Sequence, residues 1–174
     1  IQKFVTALPN SYRDLLKDVS VIISDGRRAV VHRVNTIHVI VCWFIGRRIV
    51  EFYQQGKERA AYGEEVLIKL SADLRERHGK GFSVDNLENM RRFYMEFPKM
   101  FKISETASRK SLVLNNMLKS EAASRILSWS HYCELLKEDN EKARKFYEIE
   151  TTANNWSIRE LKRQMNSMLY ERLC

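Results

Sequence analysis

Apolar residues recur every three or four positions along most of this chain, which is the spacing of one face of an α-helix. The pattern predicts a capped amphipathic helix over residues 11–24, ended by Asp25-Gly26, and a long helix over residues 27–55 that is buried at its middle. Gly46 lies inside the long helix, where a glycine costs about 1 kcal/mol relative to alanine. A second helix crossing close to Gly46 would explain its presence.

Two further helices are predicted around residues 64–97, joined by a short turn that contains glycine. Gly79 suits the left-handed end of the first of them, Ser83 is a good N-cap for the second, and Pro98 stops it. Paired helices with such a turn are typical of a helix-turn-helix, whose second helix enters the major groove of DNA. They are also common in any all-α domain, so a plain helical hairpin is the alternative.

The rest of the chain is helical in pattern, apart from a variable segment at residues 99–125. Short helices are expected over 128–136 and after Asp139, and Ser157 with Glu160 forms the capping box of a last helix. The chain has only six Gly and two Pro in 174 residues, so few positions interrupt helices. We therefore expect one all-α domain over residues 1–174, a compact multi-helix fold with a long central helix and a helix-turn-helix-like pair.

The positive charge of the chain is concentrated before residue 111. The net charge is +8, and residues 26–110 hold 17 basic and 10 acidic residues, which gives +7. Such an excess suits binding to phosphates, and a merely solvated basic face is the alternative. The cations expected to face DNA are Lys80, Arg91, Arg92 and, on the long helix, Arg27, Arg28, Arg33, Arg47 and Arg48.

The second helix of the pair has a mixed surface. Opposite its apolar stripe it displays Asp85, Glu88 and Glu96, which repel phosphates. Its remaining candidates for DNA contact are Ser83, Asn86, Asn89, Arg91 and Arg92. We expect binding mainly through phosphates, with weak base readout.

Catalytic chemistry is not expected from this chain. Glu160-Leu161-Lys162 matches the short Glu-x-Lys pattern of metal-dependent nucleases, but it follows a capping serine within a helix. Neither the histidines nor the three widely spaced cysteines form a metal-ligand or nucleophile pattern. No catalytic residue, metal site or cofactor is therefore predicted here.

The apolar segments are too short for a membrane-spanning helix. The longest unbroken run, Val39 to Ile45, has seven residues, whereas a bilayer requires roughly 20. No secretory signal pattern is visible either. We expect a cytoplasmic location and no membrane partner.

Ordered motifs from about residue 10 to residue 173 resemble the N-terminal domain of YhcG-like proteins. The motifs are Trp43-Phe44-Ile45-Gly46-Arg47, Tyr62-Gly63, Leu70-Ser71-Ala72-Asp73-Leu74, Gly81-Phe82-Ser83, Asn86-Leu87, Met90-Arg91-Arg92-Phe93-Tyr94, Leu127-Ser128-Trp129-Ser130-His131-Tyr132, Arg144-Lys145-Phe146-Tyr147 and Trp156-Ser157-Ile158-Arg159-Glu160-Leu161.

This resemblance implies an all-helical, helix-turn-helix-like DNA-binding module of a bacterial protein. It also implies a PD-(D/E)XK nuclease domain beyond Cys174, so that Mg²⁺ is expected only in that absent domain. DNA and the nuclease domain are then the expected partners of this chain. The alternative is an interaction domain that assembles the nuclease, for example as a homodimer.

Overall fold

The computed structural model describes residues 11–55, 60–101 and 126–173, and every regular element in those ranges is an α-helix. The helices are α1 (Tyr12–Gln55), α2 (Ala60–His78), α3 (Val84–Glu96), α4 (Trp129–Leu135), α5 (Glu141–Asn154), α6 (Ile158–Asn166) and α7 (Leu169–Leu173). The predicted all-α fold is confirmed. The predicted variable segment lies almost wholly outside the described residues.

Helix α1 runs without a break through Asp25-Gly26, so the helix end predicted there is wrong. One glycine costs a helix only about 1 kcal/mol, and the residues on both sides keep the helical hydrogen bonds. The contacts within the chain divide it into a unit that ends at Asn35 and a unit that begins at Thr36. Helix α1 contributes residues to both units.

The core of the second unit forms around α1 and α3. Val39, Ile40, Cys42, Trp43 and Ile49 are buried on α1. The Trp43 indole Nε1–H donates to the Phe97 carbonyl oxygen at 2.9 Å. The Trp43 ring also meets those of Phe44, Tyr94 and Phe101 edge-on, with centroids 5.0 to 5.4 Å apart. The long helix is therefore buried at its middle, as the sequence predicts.

Gly46 is the point where α1 and α3 cross. A Cβ atom built on Gly46 would lie 1.9 Å from the carbonyl oxygen of Met90 on α3. The backbones approach so closely that only a glycine fits. The crossing that Gly46 predicts is confirmed.

Helices α4 to α7 close the other side of the core. The N-cap of α5 is Asn140 rather than the expected Asp139, because its Oδ1 accepts from the backbone N–H groups of Lys142 and Ala143. The predicted capping box of α6 is present, with Ser157 Oγ accepting from Glu160 N and Glu160 Oε2 accepting from Ser157 N. Arg144 is buried beside Glu96 and ties α5 to the end of α3.

Among the described helices, only α1 is long and apolar enough to cross a membrane by length and composition. The core helix of a soluble protein passes the same test. In α1 the apolar stretch from Val39 to Trp43 belongs to the buried core, with Val41 as its exposed member. That packing accounts for the apolar character of residues 39–43, whereas the apolar side chains of α1 before residue 35 are exposed.

Candidate nucleic-acid interface

The turn between α2 and α3 is held in one conformation by its glycines and by hydrogen bonds. Gly79 and Gly81 have φ angles of 80° and 113°, a region that favours glycine. Gly79 N donates to Arg75 O at 3.0 Å and closes α2, and Ser71 Oγ donates to Phe82 O at 2.7 Å. The pair is therefore connected by a short, internally bonded turn, as predicted.

Three cations are exposed on the last turn of α2 and on the connecting turn: Arg75, Arg77 and Lys80. We call these three residues the turn cations. None of them takes part in a salt bridge within the described part of the chain. Arg75 and Lys80 also line a shallow cleft of about 440 Å³ with Ala72, Glu76 and Gly79. Their charges are available to an anion.

Ser83 and Asn86 have structural partners at the start of α3. Ser83 Oγ accepts from Asn86 N at 3.2 Å and caps the helix, as the sequence predicts. The Asn86 amide donates through Nδ2 to Gly81 O at 2.5 Å, and its Oδ1 accepts from the Trp129 indole N–H at 2.9 Å. Both residues lie beside the turn cations, and both fix the turn in place.

The two arginines of α3 are engaged within the protein. Arg91 donates to both carboxylate oxygens of Glu88, at 2.6 and 2.8 Å, and this bond raises the pKa of Arg91. Arg92 Nη2 donates to Leu136 O at 2.7 Å, beyond the end of α4, and lies 3.9 Å from Asp139. Asn89 is half-buried on the same helix. A phosphate would have to compete with these internal partners.

Helix α3 is also packed against more of the protein than a recognition helix that is free to enter a DNA groove. Leu87, Met90 and Phe93 are buried, and Phe93 packs against Trp129 and Tyr132 of α4, with ring centroids 5.4 and 4.7 Å apart. At its C-terminal end α3 is bound to α5 through Glu96. Helix α3 is thus a central packing element of its unit.

Arg47 and Arg48 share one carboxylate on α1. Arg47 Nε lies 2.6 Å from Glu51 Oε1, and Arg48 Nη1 lies 2.9 Å from Glu51 Oε2. The hydrogen bond from Arg48, with a further one from Arg47, lowers the pKa of Glu51. The group carries a net charge of +1 rather than +2.

Arg27, Arg28 and Arg33 belong to the first unit, on the N-terminal part of α1, and all three are exposed. Arg28 Nη1 lies 3.9 Å from Asp25 Oδ1, a loose surface pair. The structure therefore groups Lys80, Ser83 and Asn86 at the turn, while the other nominated residues lie on α1 or further along α3.

The Glu-x-Lys match is accounted for by the start of α6. Glu160 Oε2 accepts from Ser157 N at 2.7 Å, and the bonds to Ser157 lower the pKa of Glu160. Leu161, which lies between Glu160 and Lys162 in the sequence, is fully buried. Lys162 Nζ lies 3.5 Å from Glu134 Oε2. The described residues also contain no group of three His, Cys, Asp or Glu side chains placed to hold a metal ion.

The two cysteines in the described part of the chain, Cys42 and Cys133, have raised thiol pKa values. Burial raises the pKa of the Cys42 thiol to about 12 and that of Cys133 to about 11. Both are therefore protonated at neutral pH, which disfavours nucleophilic attack.

Sequence reasoning did not nominate Arg75 and Arg77, although it counted them in the charge of residues 26–110. The available signal was their place in the last turn of α2, directly before the glycine turn that carries Lys80. Their exposure follows from packing, because Leu67, Leu70, Ser71 and Leu74 take the inner face of α2.

The fold defines an all-α module in which a short glycine turn joins α2 to α3, and the turn cations beside it form no salt bridge among the described residues. The chain belongs to the family described as the DUF1016 N-terminal domain, which matches residues 18–172. The predicted relationship to YhcG-like proteins is thereby confirmed.

A relative from Escherichia coli (strain K12) carries the name "Putative nuclease YhcG". It is 36% identical to this chain over 173 residues. The match covers 92% of this chain and 46% of the relative, so the chain spans about half the length of that protein. No solved structure gives a significant match.

Proposed function

We propose that this chain is a DNA-binding module of a bacterial nuclease and that it holds DNA mainly through phosphate contacts of the turn cations. The observation that carries this proposal is that Arg75, Arg77 and Lys80 are exposed and form no salt bridge with any described residue, whereas Arg47, Arg48, Arg91 and Arg92 have internal partners. Unpaired cations gain most from phosphates, because no existing bond has to break.

The rest of the nuclease lies outside this chain in our proposal. The relative's name supports a nuclease as the parent protein, and the chain matches only about half of that relative. Catalysis and Mg²⁺ belong to the other part, a PD-(D/E)XK domain. This module would bring it to DNA in the cytoplasm without catalytic residues of its own.

The internal hydrogen bonds of Arg91 and of Arg92 support weak sequence specificity in DNA binding. A base-reading arginine needs a free, planar pair of donors to reach a guanine edge. Arg91 uses that pair on Glu88, and Arg92 is directed to the carbonyl after α4. Binding should therefore depend on duplex charge more than on sequence.

Fluorescence anisotropy with a labelled duplex tests the proposal. We expect the affinity to fall with salt, with a slope of log K against log salt of about −0.9 for each neutralised phosphate. Replacing all three turn cations by glutamate should abolish binding at low salt. Binding that is insensitive to salt would contradict the proposal.

A matched control separates a local site from overall charge. The triple variant Lys142→Glu, Arg159→Glu, Arg163→Glu changes the net charge by the same amount on exposed positions of α5 and α6. We expect it to retain most of the affinity. Equal losses in both triple variants would show that only the net charge matters, and the turn would not be the binding site.

A further inference from the structure

The N-terminal part of α1 carries an exposed apolar stripe. We call residues 12–35, the described helical part of the first unit, the arm. At 100° per residue, eight of its ten large apolar side chains fall within about 120° of one side, the width of a helix face that packs on a core, while Val21 and Val31 lie outside this sector. The eight are all exposed: Tyr12, Leu15, Leu16, Val19, Ile22, Ile23, Val30 and Val34.

Five of the eight stripe residues recur at an interval of eleven residues. Tyr12, Ile23 and Val34 follow one another at intervals of eleven residues, and Val19 and Val30 are eleven apart as well. An eleven-residue repeat, at 3.67 residues per turn, keeps a seam on one side of a helix that supercoils in the right-handed sense. Such a seam suits a second helix lying alongside.

Gly26 lies on this stripe, eleven residues after Leu15. A Cβ atom built on Gly26 would meet nothing within 4 Å, so no described neighbour requires a glycine there. Glycine weakens a helix relative to alanine. At Gly46 the same helix shows what a mid-helix glycine permits, since the Met90 carbonyl of α3 fills the place of its Cβ. Gly26 offers a similar close approach to a helix from another molecule.

The charges on the two sides of Gly26 favour a second, antiparallel arm as that helix. Before Gly26 the arm carries three aspartates and two cations, and after it three arginines and no acidic residue. Antiparallel pairing about Gly26 brings the first half of one arm against the second half of the other, so that net −1 faces net +3. Parallel pairing would place the two +3 halves side by side.

The size of the stripe fits a dimer as well. Eight apolar side chains that are 42% to 79% exposed, on two copies, would bury on the order of 1,000 Å², the lower limit for a specific interface. We propose that a second copy of this chain covers the stripe, with the two arms crossing antiparallel at Gly26. This homodimer is independent of the DNA-binding proposal.

Light scattering after size-exclusion chromatography tests the dimer on the whole 174-residue chain. We expect a mass of twice 20.6 kDa at high concentration. Val19→Glu places a carboxylate in the seam and should raise the dissociation constant by more than about tenfold. The matched control is Val21→Glu, because Val21 lies on the opposite face and is 43% exposed, against 42% for Val19. It should leave the constant unchanged.

The Gly26→Leu variant tests whether Gly26 is the point where two arms cross or only a weak point of its own helix. Leucine is the better helix former, so far-ultraviolet circular dichroism should show equal or greater helicity, while dimerisation weakens by tenfold or more. A monomer at every concentration would overturn the proposal, as would a dimer that Val19→Glu does not affect. Monomers that bind phosphatidylcholine–phosphatidylglycerol vesicles through Val19 would identify a lipid surface as the occupant and overturn it too.

Discussion

The carbonyl group of Met90 occupies the space that a side chain at residue 46 would need. The distance of 1.9 Å between a Cβ built on Gly46 and the Met90 carbonyl oxygen leaves no room for even a methyl group. Helices α1 and α3 therefore meet backbone to backbone. The packing of Trp43 and Tyr94, whose ring centroids lie 5.0 Å apart, depends on this close contact.

The first prediction concerns this crossing. Gly46→Ala forces α3 away from α1 and should lower the free energy of unfolding by about 3 kcal/mol, the upper part of the range for overpacked cores. Urea unfolding followed by circular dichroism measures the change. A variant as stable as the parent chain would mean that the helices can separate at this point without loss.

The second prediction concerns Asn86, which sequence analysis nominated as a DNA contact. Asn86→Ala removes the bonds to Gly81 O and to the Trp129 indole, and each is worth about 1 kcal/mol. We expect the free energy of unfolding to fall by about 2 kcal/mol. DNA affinity, measured where the variant is fully folded, should change little. A large loss of affinity in folded protein would place Asn86 in the interface itself.

The third prediction concerns the ion pair of Arg144 and Glu96. The Arg144 side chain is 7% exposed and also donates to Glu138 O at 2.8 Å. Glu96→Gln leaves a buried guanidinium without its counter-charge, and we expect a loss of about 2 kcal/mol. A double-mutant cycle with Arg144→Met measures the coupling.

The pair of Lys145 and Glu148 on α5 is the control for that cycle, because its cation is 64% exposed, against 7% for Arg144, and Nζ lies 2.7 Å from Oε2. Such surface pairs contribute about 0.5 kcal/mol or less. Equal coupling energies in the two pairs would contradict a special role for the buried one.

The fourth prediction concerns the pH dependence of stability. Burial lowers the pKa of His131 below its ordinary value of 6.5. In the neutral ring Nε2–H donates to Trp156 O at 3.1 Å, and Nδ1 accepts from Ser128 Oγ at 2.7 Å. Because the unfolded chain takes up a proton more readily than the folded one, stability should fall as the pH drops below 6.5.

His131→Gln removes that titration. The urea midpoint of the variant should therefore change less between pH 7 and pH 5 than that of the parent chain, and it should be lower at pH 7 because the ring packing is lost. Parallel pH profiles in the two proteins would assign the acid sensitivity to other groups.

Local signals in the sequence predict the starts of α3 and α6 correctly. Ser83 caps α3, and Ser157 with Glu160 caps α6, because a cap requires only atoms three residues apart. Gly46 correctly predicts a helix crossing, because a glycine within a helix allows another backbone to approach closely. Gly26 was misinterpreted as a helix end, because a glycine gives the same local signal in both situations.

The candidate interface was less predictable, because some cations are bound by groups that are distant in sequence. The charge of Arg92 is visible in the chain, but its partner, the Leu136 carbonyl, is 44 residues away. For the same reason the sequence pattern does not single out Arg75 and Arg77, whose proposed role in phosphate binding rests on the lack of such partners among the described residues. The composition gives the number of cations, but tertiary packing determines which of them remain available to a phosphate.

The three tryptophans of the chain, Trp43, Trp129 and Trp156, all belong to the unit that begins at Thr36. Tryptophan fluorescence will therefore report the melting of that unit alone, whereas circular dichroism will also register the helix before it. If the two optical signals change at different temperatures, their separation measures how independently the N-terminal stretch folds. The tryptophans of the native chain therefore report the unfolding of this unit without an added label.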